Sequence, residues 1–248
     1  MAEGRVHIGV GGWTFEPWRG MFYPEKWPQA RELEYAGQHL TGIEINGTFY
    51  GSQKPASFIK WRDAVPEGFV FTAKASRFCT NRKVLADAGE SIAKFTGQGI
   101  TELGGKLGPI LWQLAATKKF EAEDMAAFLA LLPVEHDGVK LRHAIEPRHE
   151  SFRDPAFFEM ARKAGVAVVY AEAEKFPCFE EQTAEFAYAR IQTAQEELEA
   201  GYTDAELDRL AAQCRAWAEG GRDVFLFFIS GAKVRNPAAA QALIARLG

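Results

Sequence analysis

Eight short apolar segments, each followed by enough chain for a helix or a long loop, set the frame of this sequence. They run Val6 to Gly12, Gly42 to Asn46, Phe69 to Ala75, Pro109 to Leu114, Lys140 to Pro147, Val166 to Glu172, Phe186 to Gln192 and Asp223 to Ile229. Between most of them, apolar residues recur at helical spacing with explicit start and stop signals. Asp154-Pro155 and Asn236-Pro237 each offer a capping side chain followed by proline, and Thr203-Asp204-Ala205-Glu206 reads as a capping box. The helix containing Trp61 should stop before Pro66, and Gly165 and Gly220 should end two others. Strands that alternate with helices pair in parallel through crossovers. Eight such units in 248 residues predict an α/β fold, a TIM-type (β/α)8 barrel of parallel strands forming a single domain over residues 1–248. One unit is irregular: residues 173–185 hold Pro177 and too few periodic apolar residues for a helix. An open doubly wound sheet is the rival, but Gly9-Val10-Gly11-Gly12 runs into Trp13-Thr14 and leaves a dinucleotide loop incomplete.

Polar side chains stand at the far ends of these strands on a shared alternating face. Glu44 and Asn46 have one parity, and Ile43 and Ile45 the other. Because successive strand side chains point to opposite faces, a ring of such strands gathers its polar ends at one mouth. The inward parity collects Glu44 and Asn46, Lys74, Gln113, Glu146 and Arg148, Glu172, and Arg190 and Gln192, with Arg77 and His149 just beyond. In a barrel, working groups lie at the carboxyl ends of strands and in the following loops. Guanidinium forks suit phosphate and carboxylate oxygens, so Lys74, Arg77, Arg148 and Arg190 are expected to hold an anionic ligand. Glu44, Glu146 and Glu172 are candidates for acid, base or metal ligand, and His149 for proton transfer. The competing view pairs Glu44 with Lys74 and Glu146 with Arg148 or Arg190 as structural ion pairs.

The segment Trp13 to Pro24, after the first strand, is dense in aromatics. Most of these should pack the loop onto the barrel rim. Trp13 shares the inward parity of Gly9 and Gly11 and is the expected stacking residue, with those glycines leaving room for a ligand.

Several chemistries lack their residues. There is no phosphate loop, zinc-protease helix or Gly-x-Ser-x-Gly elbow. Of the five histidines, only His149 sits near the expected mouth, so no metal centre is assigned; one divalent cation on Glu146, Glu172 and His149 is the single cofactor the residues would accommodate. Gln113 and Gln192 stand where many barrel glycosidases place their acids. A Schiff-base role for Lys74 would require desolvation, and Glu44 beside it is expected to keep it charged. Three scattered cysteines suit a reducing compartment. The start of the chain, Met1 to Val6, carries no secretory pattern, and no apolar run is long enough for a bilayer.

Gly12-Trp13, Trp18-Arg19-Gly20, Phe22-Tyr23-Pro24, Glu44-Ile45-Asn46-Gly47-Thr48-Phe49-Tyr50, Lys74-Ala75-Ser76-Arg77-Phe78, Leu107-Gly108-Pro109 and Glu146-Pro147-Arg148-His149 occur in order along nearly the whole chain. This series resembles the domain of unknown function 72 proteins, also called YecE-like. The resemblance implies a TIM-type barrel of bacterial, cytoplasmic origin and supplies no reaction. Against the family pattern, Glu172 stands in place of aspartate, Gln192 and Asn81 in place of histidine, and Ile229-Ser230 in place of paired asparagines.

The expectation is a cytoplasmic enzyme hydrolysing or isomerising a small anionic substrate, a phosphorylated sugar or a nucleotide. The net charge of -4 disfavours, without removing, the alternative of a nucleic-acid phosphodiester binder or nuclease. A non-catalytic ligand-binding protein is the third reading, and no membrane partner is expected. The sequence assigns no oligomeric state.

Overall fold

The computed structural model describes residues 4–248. Of the amino-terminal segment expected to lack a secretory pattern, Met1 to Glu3 lie outside the described residues. Nine parallel strands form the main sheet: β1 (Val6–Gly11), β2 (Gly42–Ile45), β3 (Val70–Lys74), β4 (Leu107–Gln113), β7 (His143–Glu146), β8 (Ala167–Val168), β9 (Tyr170–Glu172), β10 (Phe186–Ile191) and β11 (Asp223–Phe228). The remaining pair, β5 (Glu135–His136) and β6 (Val139–Lys140), is a separate antiparallel hairpin. The sheet order is β8-β7-β4-β3-β2-β1-β11-β10-β9. Since β8 and β9 flank Val169 within one extended stretch, with β8 pairing β7 and β9 pairing β10, the sheet curls into a nearly closed barrel.

The eight expected strands are all present with small boundary changes. The largest change is at Lys140, which leaves the fifth strand for the hairpin. There Asp137 and Gly138 take φ of 46° and 74°, and two successive left-handed residues fit a tight hairpin turn. The irregular unit is found as expected: residues 173–185 contain no helix.

Local capping chemistry sets the helix starts. Thr203 and Glu206 form the reciprocal capping box, and Asp154 accepts from the Ala156 amide at 2.9 Å. Asn236 departs from expectation. The 3-10 turn Lys233–Arg235 leads directly into the last helix, Asn236–Leu247, so Asn236 is already helical and makes no cap; its Nδ2 donates to the Ser230 carbonyl at 3.2 Å.

Two layers of core follow from strand parity. Outward side chains such as Ile8, Val10, Ile43, Phe71, Trp112 and Leu226 bury against the helices. The inward set, including Val70, Leu111, Ala144, Ala167, Val169, Ala171, Tyr188, Phe225 and Phe227, fills the barrel. Gly9 makes close strand packing possible: a Cβ there would lie 1.7 Å from the Gly42 carbonyl oxygen. At Gly11 a Cβ would strike Asn46 Nδ2 at 2.6 Å and Ile229 at 2.7 Å. Both glycines therefore admit neighbouring protein atoms; Gly9 leaves no room for a ligand, which corrects the expectation there, while Gly11 also borders the mouth cavity.

Candidate functional site

Below the carboxyl-terminal mouth, the barrel carries a ring of hydrogen-bonded polar side chains. Arg190 is its hub. Its Nε and Nη2 donate to Glu44 Oε2 and Oε1 at 3.0 and 3.1 Å, and its Nη1 donates to Glu146 Oε2 and to Gln113 Oε1. Arg148 Nε donates to Glu146 Oε1 at 2.6 Å, and its Nη2 to Gln113 Oε1 at 2.9 Å. Tyr188 donates its hydroxyl to Glu44 Oε2 at 2.9 Å, with Thr72 beneath it. Glu44 and Glu146 are both wholly buried, and every carboxylate oxygen accepts a hydrogen bond.

Burial alone would raise the Glu146 carboxyl, but the charges of Arg190 and Arg148 outweigh it and hold Glu146 below the usual carboxylate range. Burial likewise opposes the charge on Arg190, and Glu146 and Glu44 overcome it, so the guanidinium is held more firmly protonated than usual. Tyr188 is pushed well above the ordinary phenol by burial and by the neighbouring Glu44 charge. These groups are locked in single protonation states.

Above this ring opens a cavity of about 740 Å³, lined among others by Trp13, Asn46, Gln53, Lys74, Gln113, Arg148, Arg190, Lys233 and Asn236. Four of its lining side chains are cationic and none is acidic. Three of these cations rest on aromatic faces. Lys74 Nζ lies 4.1 Å from the Phe49 ring centroid, the Arg148 guanidinium 4.3 Å from Phe176, and Lys233 Nζ 4.3 Å from Phe15. An aromatic face steadies a cation without cancelling its charge.

Lys74 belongs to no salt bridge among the described residues, which corrects the expected Glu44–Lys74 pair: both Glu44 oxygens are taken by Arg190 and Tyr188. Burial, then the charge of Arg190, lowers the Lys74 ammonium to about 8. Burial also lowers Lys233. At the rim, Asn236 is buried with its Oδ1 unpartnered.

The structure thus brings Glu44, Asn46, Lys74, Gln113, Glu146, Arg148 and Arg190 together at one end of the barrel. Other expected site residues lie elsewhere. Arg77 is exposed outside the cavity, its guanidinium 5.3 Å from the Phe78 ring, because the chain turns into a short helix right after β3. His149 accepts from the Ser151 amide at 3.1 Å and so caps the turn Glu150–Arg153. Glu172 points outward to Arg209 at 2.8 Å and to the Tyr170 hydroxyl, since Ala167, Val169 and Ala171 take the inward parity of that strand. The expected cation set of Glu146, Glu172 and His149 is therefore dispersed, and no group of three or more His, Cys, Asp or Glu among the described residues is placed to hold a metal. Gln192 faces an adjoining cavity bordered by Arg148, Lys175, Phe176 and Ser230, where its Nε2 is buried without a partner.

Trp13 touches the mouth but packs edge-on against Trp61 and the outward Phe71, at 5.1 and 6.4 Å. The chain swings off the inward line at Gly12, where φ is 71°. Trp18 and Tyr23 of the same segment are packing: Trp18 is buried and donates to the Lys233 carbonyl at 2.9 Å, and Tyr23 is buried and donates to the Trp13 carbonyl.

Fold and site together define an α/β barrel of parallel strands with a cationic cavity at the carboxyl ends of its strands. The chain belongs to the family described as "Protein of unknown function DUF72", whose model matches residues 7–248. It is similar to the UPF0759 protein YecE of Escherichia coli K12, 26% identical over 142 residues, 56% of this chain and 48% of the relative. It is also similar to the UPF0759 protein YunF of Bacillus subtilis 168, 25% identical over 159 residues, 62% of this chain and 54% of the relative. These matches span about half the length of the relatives. Among solved structures, a DUF72 family protein from Thermotoga maritima is similar with a TM-score of 0.76 at 24% identity, over 97% of both chains. SacUVDE is similar with a TM-score of 0.59 at 10% identity, over 98% of this chain and 97% of that one. At these identities the structural likeness shows the fold alone. No helix among the described residues is long and apolar enough to cross a membrane.

Proposed function

We propose that the mouth captures a small anionic ligand, a phosphorylated sugar or a nucleotide, and that the protein is an enzyme acting on it. One observation carries this reading: a cavity of about 740 Å³ lined by Lys74, Arg148, Arg190 and Lys233 with no acidic side chain. Its volume falls within the range of small-ligand sites. Glu44 and Glu146 neutralise Arg190 from below and hold its guanidinium, and with it Gln113 and Arg148, in a fixed geometry. They serve as positioning residues. Lys74 and Lys233, which make no salt bridge among the described residues, then face the ligand with their charge uncancelled, and Arg148, paired with Glu146 through its Nε, adds its free Nη1. Asn46, Gln53 and Asn236 would read its hydroxyl groups. Lys74, lowered to about 8, is the side chain at the mouth best suited to exchange a proton near neutral pH, in an isomerisation or hydrolysis. The nucleic-acid reading draws less support: the cationic surface lies inside a concave cavity, and the net charge is -4.

A thermal-shift panel tests this. Ribose 5-phosphate and AMP should raise the melting temperature, whereas ribose and adenosine should not. At about one hundred times Kd the stabilisation is about 2.7 kcal/mol, a rise of roughly 5 to 10 °C for a chain of this size. Raising salt from about 50 mM to about 500 mM should shrink the rise, because partly exposed charges are screened. Equal shifts with the neutral sugars would remove the anion reading.

A further inference from the structure

We infer, building on the anion-binding reading, that Lys74 is an imine-forming amine and that the ligand it meets carries an aldehyde or ketone beside its anionic group. Lys74 ends β3 on the wall of the mouth cavity, where its backbone is fixed by pairing with Leu111 and by the Thr48 hydroxyl donating to its carbonyl at 2.7 Å. Its amine makes no hydrogen bond and no salt bridge among the described residues, with Glu44 and Glu146 acting on it only from a distance, and it rests on the Phe49 ring.

The contrast with the structural lysines is direct. Lys106, equally buried, donates to the carbonyls of Arg62 and Val65 at 2.8 Å each. Lys118 donates to the Lys83 carbonyl and to Asp124. A lysine kept for stability is saturated in this fold; Lys74 is desolvated and left open to the cavity. Desolvation beside the fixed Arg190 charge favours the neutral amine, so about a tenth of it is unprotonated at pH 7 if it titrates near 8. Arg148 Nη1 and Lys233 Nζ are available for the anionic group, which would bring the carbonyl to the amine.

The step balances without oxidant or reductant. The nitrogen lone pair attacks the carbonyl carbon, forming the C–N bond as the C–O π pair moves to oxygen, and a proton passes from nitrogen to that oxygen. The carbinolamine nitrogen then expels the hydroxyl, which takes a proton from solvent at the mouth and leaves as water. The product is a protonated imine, an electron sink that would make a proton or a carbon substituent next to the former carbonyl easier to remove.

The test treats the full-length protein with glycolaldehyde phosphate and then sodium borohydride, and maps the reduced adduct by peptide mass spectrometry. The expected result is a single adduct on Lys74, at least tenfold above the exposed Lys60, Lys94 and Lys119. It should diminish when inorganic phosphate competes and disappear in Lys74→Arg and Lys74→Met. Adducts spread evenly over surface lysines, or undiminished in Lys74→Met, overturn the inference. Inorganic phosphate binding, read separately by calorimetry, distinguishes the two failures. Phosphate bound with no Lys74 adduct sinks the imine alone, and neither phosphate binding nor an adduct sinks the anion reading with it.

Discussion

Arg190→Met should cost the fold about 3 to 5 kcal/mol, the penalty typical of breaking a buried ion pair from one side. The substitution preserves most of the volume and leaves Glu44 and Glu146, both wholly buried, without the guanidinium that links them. Glu146 keeps Arg148, but Glu44 keeps only the Tyr188 hydroxyl. For a chain of this length the melting temperature should fall by roughly 6 to 20 °C. Adding Glu44→Gln in the same background should restore much of the loss, because the damage is the stranded negative charge of Glu44 and not the missing side chain. Urea unfolding of the single and double variants measures both effects. A single variant within about 1 kcal/mol of the parent, comparable to an exposed pair, would show that the ring does not hold the barrel together.

Lys74→Met should do the opposite and stabilise the protein at pH 7 by up to about 3 kcal/mol, taking 1.36 kcal/mol for each unit between 10.5 and about 8. The sign follows from proton counting. In the unfolded chain the amine keeps its ordinary value of 10.5, and in the folded chain burial and Arg190 lower it to about 8. Below pH 8 both forms are protonated, and the cost of burying the charge is fully present. Between about 8 and 10.5 the unfolded chain holds a proton that the folded one has released, so unfolding becomes harder as pH rises. Above 10.5 neither form is charged and the cost is gone. The gap between Lys74→Met and the parent should therefore be widest below pH 8 and close by about pH 10.5, as chemical denaturation across this range would record. A variant less stable than the parent at pH 7 would mean that the ammonium is a structural element with a partner.

The barrel was legible because its strands alternate. Glu44, Lys74, Gln113, Glu146, Arg148 and Arg190 each stand at a strand end with apolar neighbours of the opposite parity, and all reach the same end of the barrel. Where alternation is lacking, parity does not place a side chain. Val166 to Glu172 is apolar on both parities, so nothing in it indicated that small alanines face inward, where the large Tyr188 and Phe225 need space, and that Glu172 faces out. Residues just past strand ends were equally hard to place. Arg77 and His149 enter short helical turns that redirect them, and Gly12 diverts Trp13 toward Trp61. Partner choice was also hidden. Glu44 could pair with Lys74 or Arg190 on parity alone, and the two-pronged fit of the guanidinium to both Glu44 oxygens decides it. Lys233 and Asn236 sit in the loop and helix after β11, where no alternation marks them as facing the cavity, although their position after the last strand was itself a signal.

Isothermal titration of ribose 5-phosphate into the parent protein and into Arg148→Met at low salt tests the cationic cavity most directly. One site per chain is expected in the parent, with an affinity about 10- to 100-fold weaker in the variant, in keeping with the roughly 1.5 to 3 kcal/mol of a charged hydrogen bond. Equal affinities, or no heat in the parent at millimolar ligand, would contradict it.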